Sequence, residues 1–341
     1  MQPFSWLHKR MTDGPQTRRA RAWKPNARFR PLAELLERRE VLSTLTVVNN
    51  LDSGTGSLRA EIAAAAAGDT IVFAPGLDGQ TVTLTSGELD INKSLTINGP
   101  GAGQLAVSGG NASRVFEVDG ATTIVTLSGL TISHGDSGGG TLYGAGGGIL
   151  NYGGMLTLSG CTVSQNLATE GGGIYNSSGT LTVSGCMLSG NSALEGGGLY
   201  NNAGATATIV NGTLSGNIAS GGDYDEGDGG GVYNFEGTVT LSGCTLSGNS
   251  AGLDGGAVYT YGYVEVEKSK HKTIDIVIGA MTISGCTVTG SSAFEGAGFY
   301  NASATASYQT LTISDSVFSN NGPLNYITYY GPNAGDGDSF S

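Results

Sequence analysis

One short motif recurs through most of this chain, and the repeat constrains the fold more than any other feature. One half of the motif reads LTLSGCTVSQN at 156–166 and LTVSGCMLSGN at 181–191, and the other half reads GGGIYN at 171–176. From about residue 125, copies of the first half start 31, 25, 26, 32, 42 and 30 residues apart. A unit of about 25 residues is too short to bury its own apolar face, so it must stack on its neighbours.

Within each unit, apolar and polar residues alternate in short runs that Gly or Ser-Gly interrupts, as β-strands do. No turn signal of the Asn-Gly type recurs at a constant place, which disfavours antiparallel hairpins. The sequence therefore predicts an all-β solenoid, a parallel β-helix with one repeat per coil and coils about 4.8 Å apart.

The pattern divides the chain into four predicted parts. Residues 1–44 form a basic, largely disordered leader, and residues 45–80 form an N-terminal cap with a short helix that starts after Ser57. Residues 81–322 form the β-helix, and residues 323–341 form a flexible acidic tail. The segment 263–279 interrupts the repeat and is predicted to form a hairpin.

Stacked coils bring equivalent residues into columns. The predicted inward column holds Leu158, Val183, Ile209, Leu241, Ile283 and Ile313. Asparagines that would hydrogen-bond from coil to coil form a structural column at Asn166, Asn191, Asn217, Asn249 and Asn321.

An acidic column immediately precedes the glycine triplets or their variants. It consists of Glu170, Glu195, Asp228, Asp254 and Glu295. Carboxylates about 5 Å apart repel one another, and a hard cation such as Ca²⁺ would relieve the repulsion. The column is therefore a candidate calcium site, and the alternative is a solvated edge that keeps the protein soluble.

A tyrosine column follows the triplets on the predicted outer face. It consists of Tyr175, Tyr200, Tyr233, Tyr259 and Tyr300. An exposed aromatic ribbon beside carboxylates would bind a sugar chain by stacking. The favoured alternative is cross-coil packing of the rings, which stabilises the sheet. The four cysteines, which also share one position of the repeat, are interpreted as small buried hydrophobes.

Charge is distributed unevenly along the chain. Residues 1–44 hold 10 of the 16 Lys and Arg residues, and residues 45–341 carry a net charge of −18. The negative charge of residues 45–341 disfavours nucleic-acid binding. No stretch of the sequence is apolar and long enough to predict a transmembrane helix. No catalytic residue is assigned, because the only Arg residues after the leader, Arg59 and Arg114, fall on the cap and before a strand.

The paired GGx-hydrophobic-Tyr-Asn and hydrophobic-Ser-x-Asn units resemble the repeats of the polymorphic outer membrane protein family and of right-handed parallel β-helix proteins in general. The segments DSGTGSLRAEI and GDTIVF (52–73) are similar to the start of many exported bacterial β-helix proteins. Residues 36–42, LERREVL, partly match a planctomycetal extracellular leader. These resemblances imply a right-handed β-helix that is extracellular or on the cell surface.

Two functions follow as hypotheses. The first is an exported structural or adhesive protein without catalysis, which binds glycans or divalent cations on its outer face, with a cell-wall or extracellular polysaccharide as partner. The alternative is a polysaccharide lyase or glycoside hydrolase that acts on an extended acidic polysaccharide. An enzyme would show acids and a base that converge in one groove, which an adhesin does not need.

Overall fold

The computed structural model describes residues 42–138, 144–221, 227–269, 272–303, 310–322 and 327–330. The predicted leader lies outside these ranges except for its last three residues. In the described residues the chain forms one α-helix, α1 (Leu58–Ala64), one 3₁₀ turn (Pro75–Leu77) and thirty-two strands.

The strands of the N-terminal half are β1 (Thr44–Val47), β2 (Thr70–Phe73), β3 (Gln80–Thr83), β4 (Leu89–Ile91), β5 (Leu95–Asn98), β6 (Leu105–Ser108), β7 (Phe116–Asp119), β8 (Ile124–Ser128), β9 (Thr131–Ser133), β10 (Ile149–Tyr152), β11 (Met155–Ser159), β12 (Thr162–Ser164), β13 (Ile174–Ser177), β14 (Thr180–Ser184), β15 (Met187–Ser189) and β16 (Ser192–Ala193). The remaining strands are β17 (Leu199–Asn201), β18 (Thr206–Val210), β19 (Thr213–Ser215), β20 (Ile218–Ala219), β21 (Val232–Phe235), β22 (Thr238–Ser242), β23 (Thr245–Ser247), β24 (Ser250–Ala251), β25 (Val258–Ser269), β26 (Lys272–Ile278), β27 (Ala280–Ser284), β28 (Thr287–Thr289), β29 (Phe299–Ser303), β30 (Thr310–Ser314), β31 (Val317–Ser319) and β32 (Ile327–Tyr330).

These strands build three long parallel sheets, and each repeat contributes one strand to each sheet. Sheet A runs β1-β2-β5-β8-β11-β14-β18-β22-β27-β30, and sheet B runs β3-β6-β9-β12-β15-β19-β23-β28-β31. Sheet C runs β4-β7-β10-β13-β17-β21-β25-β29-β32, and β16, β20 and β24 form a small fourth sheet. The predicted right-handed parallel β-helix is confirmed.

The first coil is covered by the predicted cap helix. The Ser57 side chain accepts a hydrogen bond from the Ala60 amide, which satisfies an amide that the first turn of α1 leaves unpaired. Leu58 and Ile62 then face the core, where they are at most 5 % exposed. Burying such side chains stabilises the fold by about 1.5–3 kcal/mol each, so α1 closes the open end of the solenoid.

The inward column is confirmed by the register of sheet A. Leu158 pairs with Val183, Val183 with Ile209 and so on to Ile313, with each residue directly above its equivalent in the previous coil. The members from Leu158 to Ile283 have no exposed surface, and Ile313 in the last described coil of this sheet packs partly buried against them. One continuous apolar core therefore runs along the solenoid axis.

The glycine triplets allow the coils to approach closely at one corner. Gly171 has φ +64°, a conformation that residues with a Cβ rarely adopt. At the next position, a Cβ on Gly172 would overlap the carbonyl oxygen of Ser192 in the following coil. The corner therefore requires glycine for both its backbone angle and its packing.

Two segments depart from the regular coil. Tyr263–Ser269 pairs antiparallel with Lys272–Ile278, which confirms the predicted hairpin at 263–279. Strand β32 pairs with β29 and lies in the segment predicted as a tail, so sheet C continues past residue 322. The other domain bounds stay predictions. Over the described part of the chain, no helix is long and apolar enough to cross a membrane.

Candidate functional site

The five predicted acidic residues lie in one column along the solenoid. Bridges in parallel register join Glu170 to Glu195 and Asp254 to Glu295, and the Asp254 amide donates to the Asp228 carboxylate over 3.0 Å. Nevertheless, no group of three or more His, Cys, Asp or Glu side chains within the described ranges is arranged to hold a metal ion. Calcium binding by this column stays a prediction.

The predicted tyrosine column is a continuous stack of rings. Successive ring centroids from Tyr175 to Tyr300 are 5.0, 4.7, 4.8 and 5.4 Å apart. Tyr200, Tyr233, Tyr259 and Tyr300 are only 6–8 % exposed. A sugar needs a free ring face, and the stack covers both faces of the three central rings. The structure therefore favours cross-coil packing, and glycan binding by this column stays untested.

The acidic and tyrosine columns contact each other and share a partly dehydrated edge. Burial raises the pKa of Glu170, against an opposing hydrogen bond with Tyr175. Burial also raises the pKa of Asp228 to about 7, with a contribution from the charge of Asp254. The pKa of Asp254 rises to about 6 because of burial and the charge of Glu295. Some of these carboxyl groups therefore hold protons near neutral pH.

We expect this edge to make the protein more stable in mild acid. Because the folded-state pKa of Asp228 lies above its unfolded value of 3.8, the native state binds more protons between about pH 4 and 7. The free energy of unfolding should fall as the pH rises through this range. Asp228→Asn should make the free energy of unfolding less dependent on pH and raise it by about 1–2 kcal/mol at pH 8. Urea unfolding at a series of pH values measures both effects. The exposed Asp78→Asn control should leave the curve unchanged, and an equal slope in D228N would contradict the prediction.

The predicted asparagine column is confirmed as a hydrogen-bonded ladder. The side-chain amide of Asn166 donates to Asn191 over 2.9 Å, Asn191 to Asn217 over 3.0 Å and Asn217 to Asn249 over 3.0 Å. Ser291 interrupts the ladder, and its amide donates to Asn321 over 3.0 Å.

A second buried ladder was missed in the sequence. It lies on sheet C and consists of Asn151, Asn176, Asn201 and Asn234, joined by bonds of 2.7, 2.8 and 2.9 Å. Alternation in GGGIYN contains the signal, because an inward Ile and an outward Tyr require the following Asn to point inward. The four cysteines are buried and free, in agreement with their interpretation as small hydrophobes.

A second set of charged residues converges at the N-terminal end of sheet C. Here a cleft of about 300 Å³ lies between α1 and β4, and Glu88, Asp90, Arg59 and Lys93 are among its lining residues. Three of the six basic residues after residue 44 belong to the 263–279 segment. The other three meet at this cleft, since Arg114 bonds directly to Glu88.

Arg59 and Arg114 lie far apart in the sequence, yet both contact Glu88. Arg59 Nη1 donates to the backbone oxygen of Glu88 over 2.7 Å, and its Nη2 pairs with Asp52 over 2.7 Å. Arg114 Nη1 donates to the Glu88 carboxylate over 2.8 Å and to the Glu117 carboxylate over 2.7 Å. The sequence placed Arg59 on the cap and Arg114 before a strand, and the folded chain brings both of them to Glu88.

Glu117 is the acid in this cluster whose protonation is most clearly perturbed. Burial raises the pKa of Glu117, and a hydrogen bond and repulsion from Glu88 add to the rise against the charge of Arg114. The Glu117 side chain nevertheless keeps 28 % of its surface exposed. Asp90 on β4 pairs with Glu117 on the neighbouring strand β7. The exposed side chain of Asp90 therefore lies on the same face of sheet C as the side chain of Glu117.

The sequence contained a signal for these acids as well. Leu89-Asp90-Ile91 and Phe116-Glu117-Val118 repeat the in-out-in pattern of Ile174-Tyr175-Asn176, and the register confirms their equivalence. The tyrosine column therefore continues towards the N-terminus as Leu150, Glu117 and Asp90. The Gly-Gly-Gly and Tyr-Asn letters that mark the motif are absent from the coils of Glu117 and Asp90, which hid the alignment.

No family model matches the chain, and no curated protein matches it. Among solved structures, the pectin methylesterase PemA from Erwinia chrysanthemi is similar at a TM-score of 0.43 and 10 % identity, over 79 % of this chain and 92 % of that one. The pectate lyase Pel9A is similar at a TM-score of 0.42 and 16 % identity, over 83 % of this chain and 81 % of that one. The resemblances to polymorphic outer membrane proteins and to the planctomycetal leader stay predictions.

Proposed function

We propose that the protein cleaves an extended polysaccharide at the N-terminal cleft, as a glycoside hydrolase. One observation carries this proposal: two carboxyl groups share a single arginine nitrogen beside an open cleft, and one of them, Glu117, has a raised pKa. An enzyme requires acids and basic groups that converge in one groove, and the charged residues at this cleft support that requirement better than the tyrosine column does.

The arrangement suits the chemistry of paired acids. Glycoside hydrolysis needs one protonated acid and one carboxylate about 5–9.5 Å apart. Strand spacing of about 4.8 Å between Asp90 and Glu117 places their side chains near the lower end of that range. Glu117 would protonate the leaving oxygen, and Asp90 would act on the anomeric carbon or on a water molecule.

Hydrolysis fits these residues better than elimination by a lyase. A lyase needs a base to remove a proton from the sugar ring, and Lys93 is the only amine in the cleft lining. Its ammonium group donates to the backbone oxygens of Ala63 and Ala65 over 3.2 and 2.9 Å. Both bonds commit donors of this group to the C-terminal end of α1, so Lys93 serves there as a structural contact of the cap helix.

The structural or adhesive function is the second candidate, and the two hydrogen-bonded ladders with the stacked rings favour it. A panel of neutral and acidic polysaccharides, assayed for new reducing ends and for binding, separates the two functions. We expect cleavage of at least one polymer. Binding without cleavage would support an adhesin, and neither binding nor cleavage would support a purely structural protein.

We further propose that the protein is exported to the cell surface or the extracellular space, on the basis of the basic leader. Deletion of residues 1–44 should stop secretion. Immunoblotting of cell and medium fractions would measure where the protein accumulates. Unchanged secretion of the deletion variant would contradict this proposal.

A further inference from the structure

Tyr152 is an exposed tyrosine of sheet C. It lies at the end of β10 with 58 % of its surface exposed, whereas the rings of the tyrosine column cover one another. Among the tyrosines whose side-chain exposure the structure describes, no other is counted with the exposed large hydrophobic residues. More than half of its surface is therefore accessible to a ligand, whereas the rings of Tyr200, Tyr233, Tyr259 and Tyr300 are at most 8 % exposed.

The position of Tyr152 relates it to the paired acids. Leu150 pairs with Glu117 in the register, and Tyr152 pairs with Asp119, two residues further along the same strand. Residues two apart point to the same face of a sheet, so Tyr152 shares the outer face of Glu117. One strand spacing and a two-residue rise place their Cα atoms about 8 Å apart. A sugar unit adjoining the cleaved bond would reach the Tyr152 ring.

We propose that Tyr152 is a stacking platform for one pyranose ring of the polysaccharide, next to the unit that Glu117 protonates. This inference rests on the proposed function. A pyranose ring presents an apolar C–H face, and an exposed aromatic ring binds such a face while its hydroxyl stays in water.

The charges around Tyr152 define the sugar as uncharged. Asp119 is its partner in the register, the exposed Asp90 lies on β4 two strands away, and residues 45–341 carry a net charge of −18. The nearby Arg114 already donates to two carboxylates and to two backbone oxygens. A uronate would meet uncompensated negative charge, so the ligand class is a neutral polysaccharide and not the acidic one predicted from the sequence.

Binding by the full chain tests this inference. In the Glu117→Gln background, in which turnover should be about 10³-fold slower, calorimetry would compare neutral β-1,4-linked glucose, xylose and mannose hexasaccharides with hexagalacturonate. We expect at least one neutral hexasaccharide to bind, and hexagalacturonate to bind at least tenfold more weakly. Adding Tyr152→Ala should weaken the neutral ligand about tenfold, whereas Tyr152→Phe should keep most of the affinity.

Phe294 provides a matched control, because it is 72 % exposed. Phe294→Ala should leave binding unchanged. Equal affinity with and without Tyr152→Ala, absence of binding by every neutral hexasaccharide, or preference for hexagalacturonate would overturn the inference. Tyr152-dependent binding by a wild-type protein that cleaves nothing would uphold the stacking platform and reject the hydrolase. Cleavage that depends on Glu117 but not on Tyr152 would support the hydrolase and reject the stacking platform.

Discussion

We expect Glu117→Gln to lower kcat for polysaccharide cleavage about 10³-fold, because the substitution removes the proposed proton donor. Gln has almost the same shape as Glu, and its amide oxygen can still accept the hydrogen bond from Arg114 that Glu117 accepts over 2.7 Å. The amide cannot give up a proton to a leaving oxygen. The expected loss therefore falls on the chemical step, and KM should change by less than threefold.

The pH profile gives a second measurement of the same role. Burial holds the pKa of Glu117 above its ordinary value, so the wild-type rate should fall as the pH rises and Glu117 loses its proton. The residual activity of E117Q should lack this alkaline fall. Initial rates of reducing-end release between pH 4 and 9 would show both effects.

A neighbouring acid on the same strand serves as the control. Asp119 is exposed and two residues from Glu117 on β7, so it shares the outer face. Asp119→Asn should keep kcat within about twofold, since Asp119 does not transfer the proton and its lost charge beside Tyr152 acts on KM. A similar loss in D119N, or full activity in E117Q, would remove Glu117 from the proposed role.

The repeat predicted the fold well because equivalent residues became neighbours. Alternation around Leu158 placed the inward column correctly, and the shared Asn166 and Asn191 positions predicted a bonded ladder that the structure confirms. Alternation also placed Tyr200 on the outer face and favoured packing of successive rings, but it could not give the exposed fraction that this packing leaves. Exposure depends on the packing of neighbouring coils, which a single strand pattern does not contain.

The candidate site could not be predicted from the repeat, because its residues come from the cap and from irregular coils. Arg59 lies on α1 and Glu88 precedes β4, so their contact depends on how the cap helix packs against the second coil. Neither residue belongs to a clear copy of the motif. Where the repeat is regular, sequence spacing gives position in space; at the cap, only the folded chain joins residues that lie about thirty positions apart.

The largest loss of stability should come from breaking the first asparagine ladder at Asn191. Its side-chain amide donates to Asn217 Oδ1 and to the Val163 backbone oxygen, each over 3.0 Å. Its own Oδ1 accepts bonds from the amide and the side chain of Asn166, over 3.2 and 2.9 Å. Asn191 has no exposed surface, so water cannot replace these partners without opening the coil.

Asn191→Ala should therefore lower the free energy of unfolding by about 4 kcal/mol, because a buried group left without a partner costs about 1–3 kcal/mol and several are left here. Urea unfolding followed by circular dichroism measures the loss. The exposed Asn98→Ala, in sheet A, is the control and should cost less than about 0.5 kcal/mol.

Asn191→Asp separates loss of hydrogen bonds from loss of volume. The carboxylate keeps the shape and can still accept from Asn166, but it faces Asn217 Oδ1 and the Val163 oxygen with no proton to donate. At pH 8 the variant should be at least as unstable as N191A, because a buried charge is added. At pH 4 a protonated carboxyl group can donate again, and part of the stability should return. If N191D were as stable as the wild type at pH 8, the ladder would contribute shape alone, and its bonds would not hold successive coils in register.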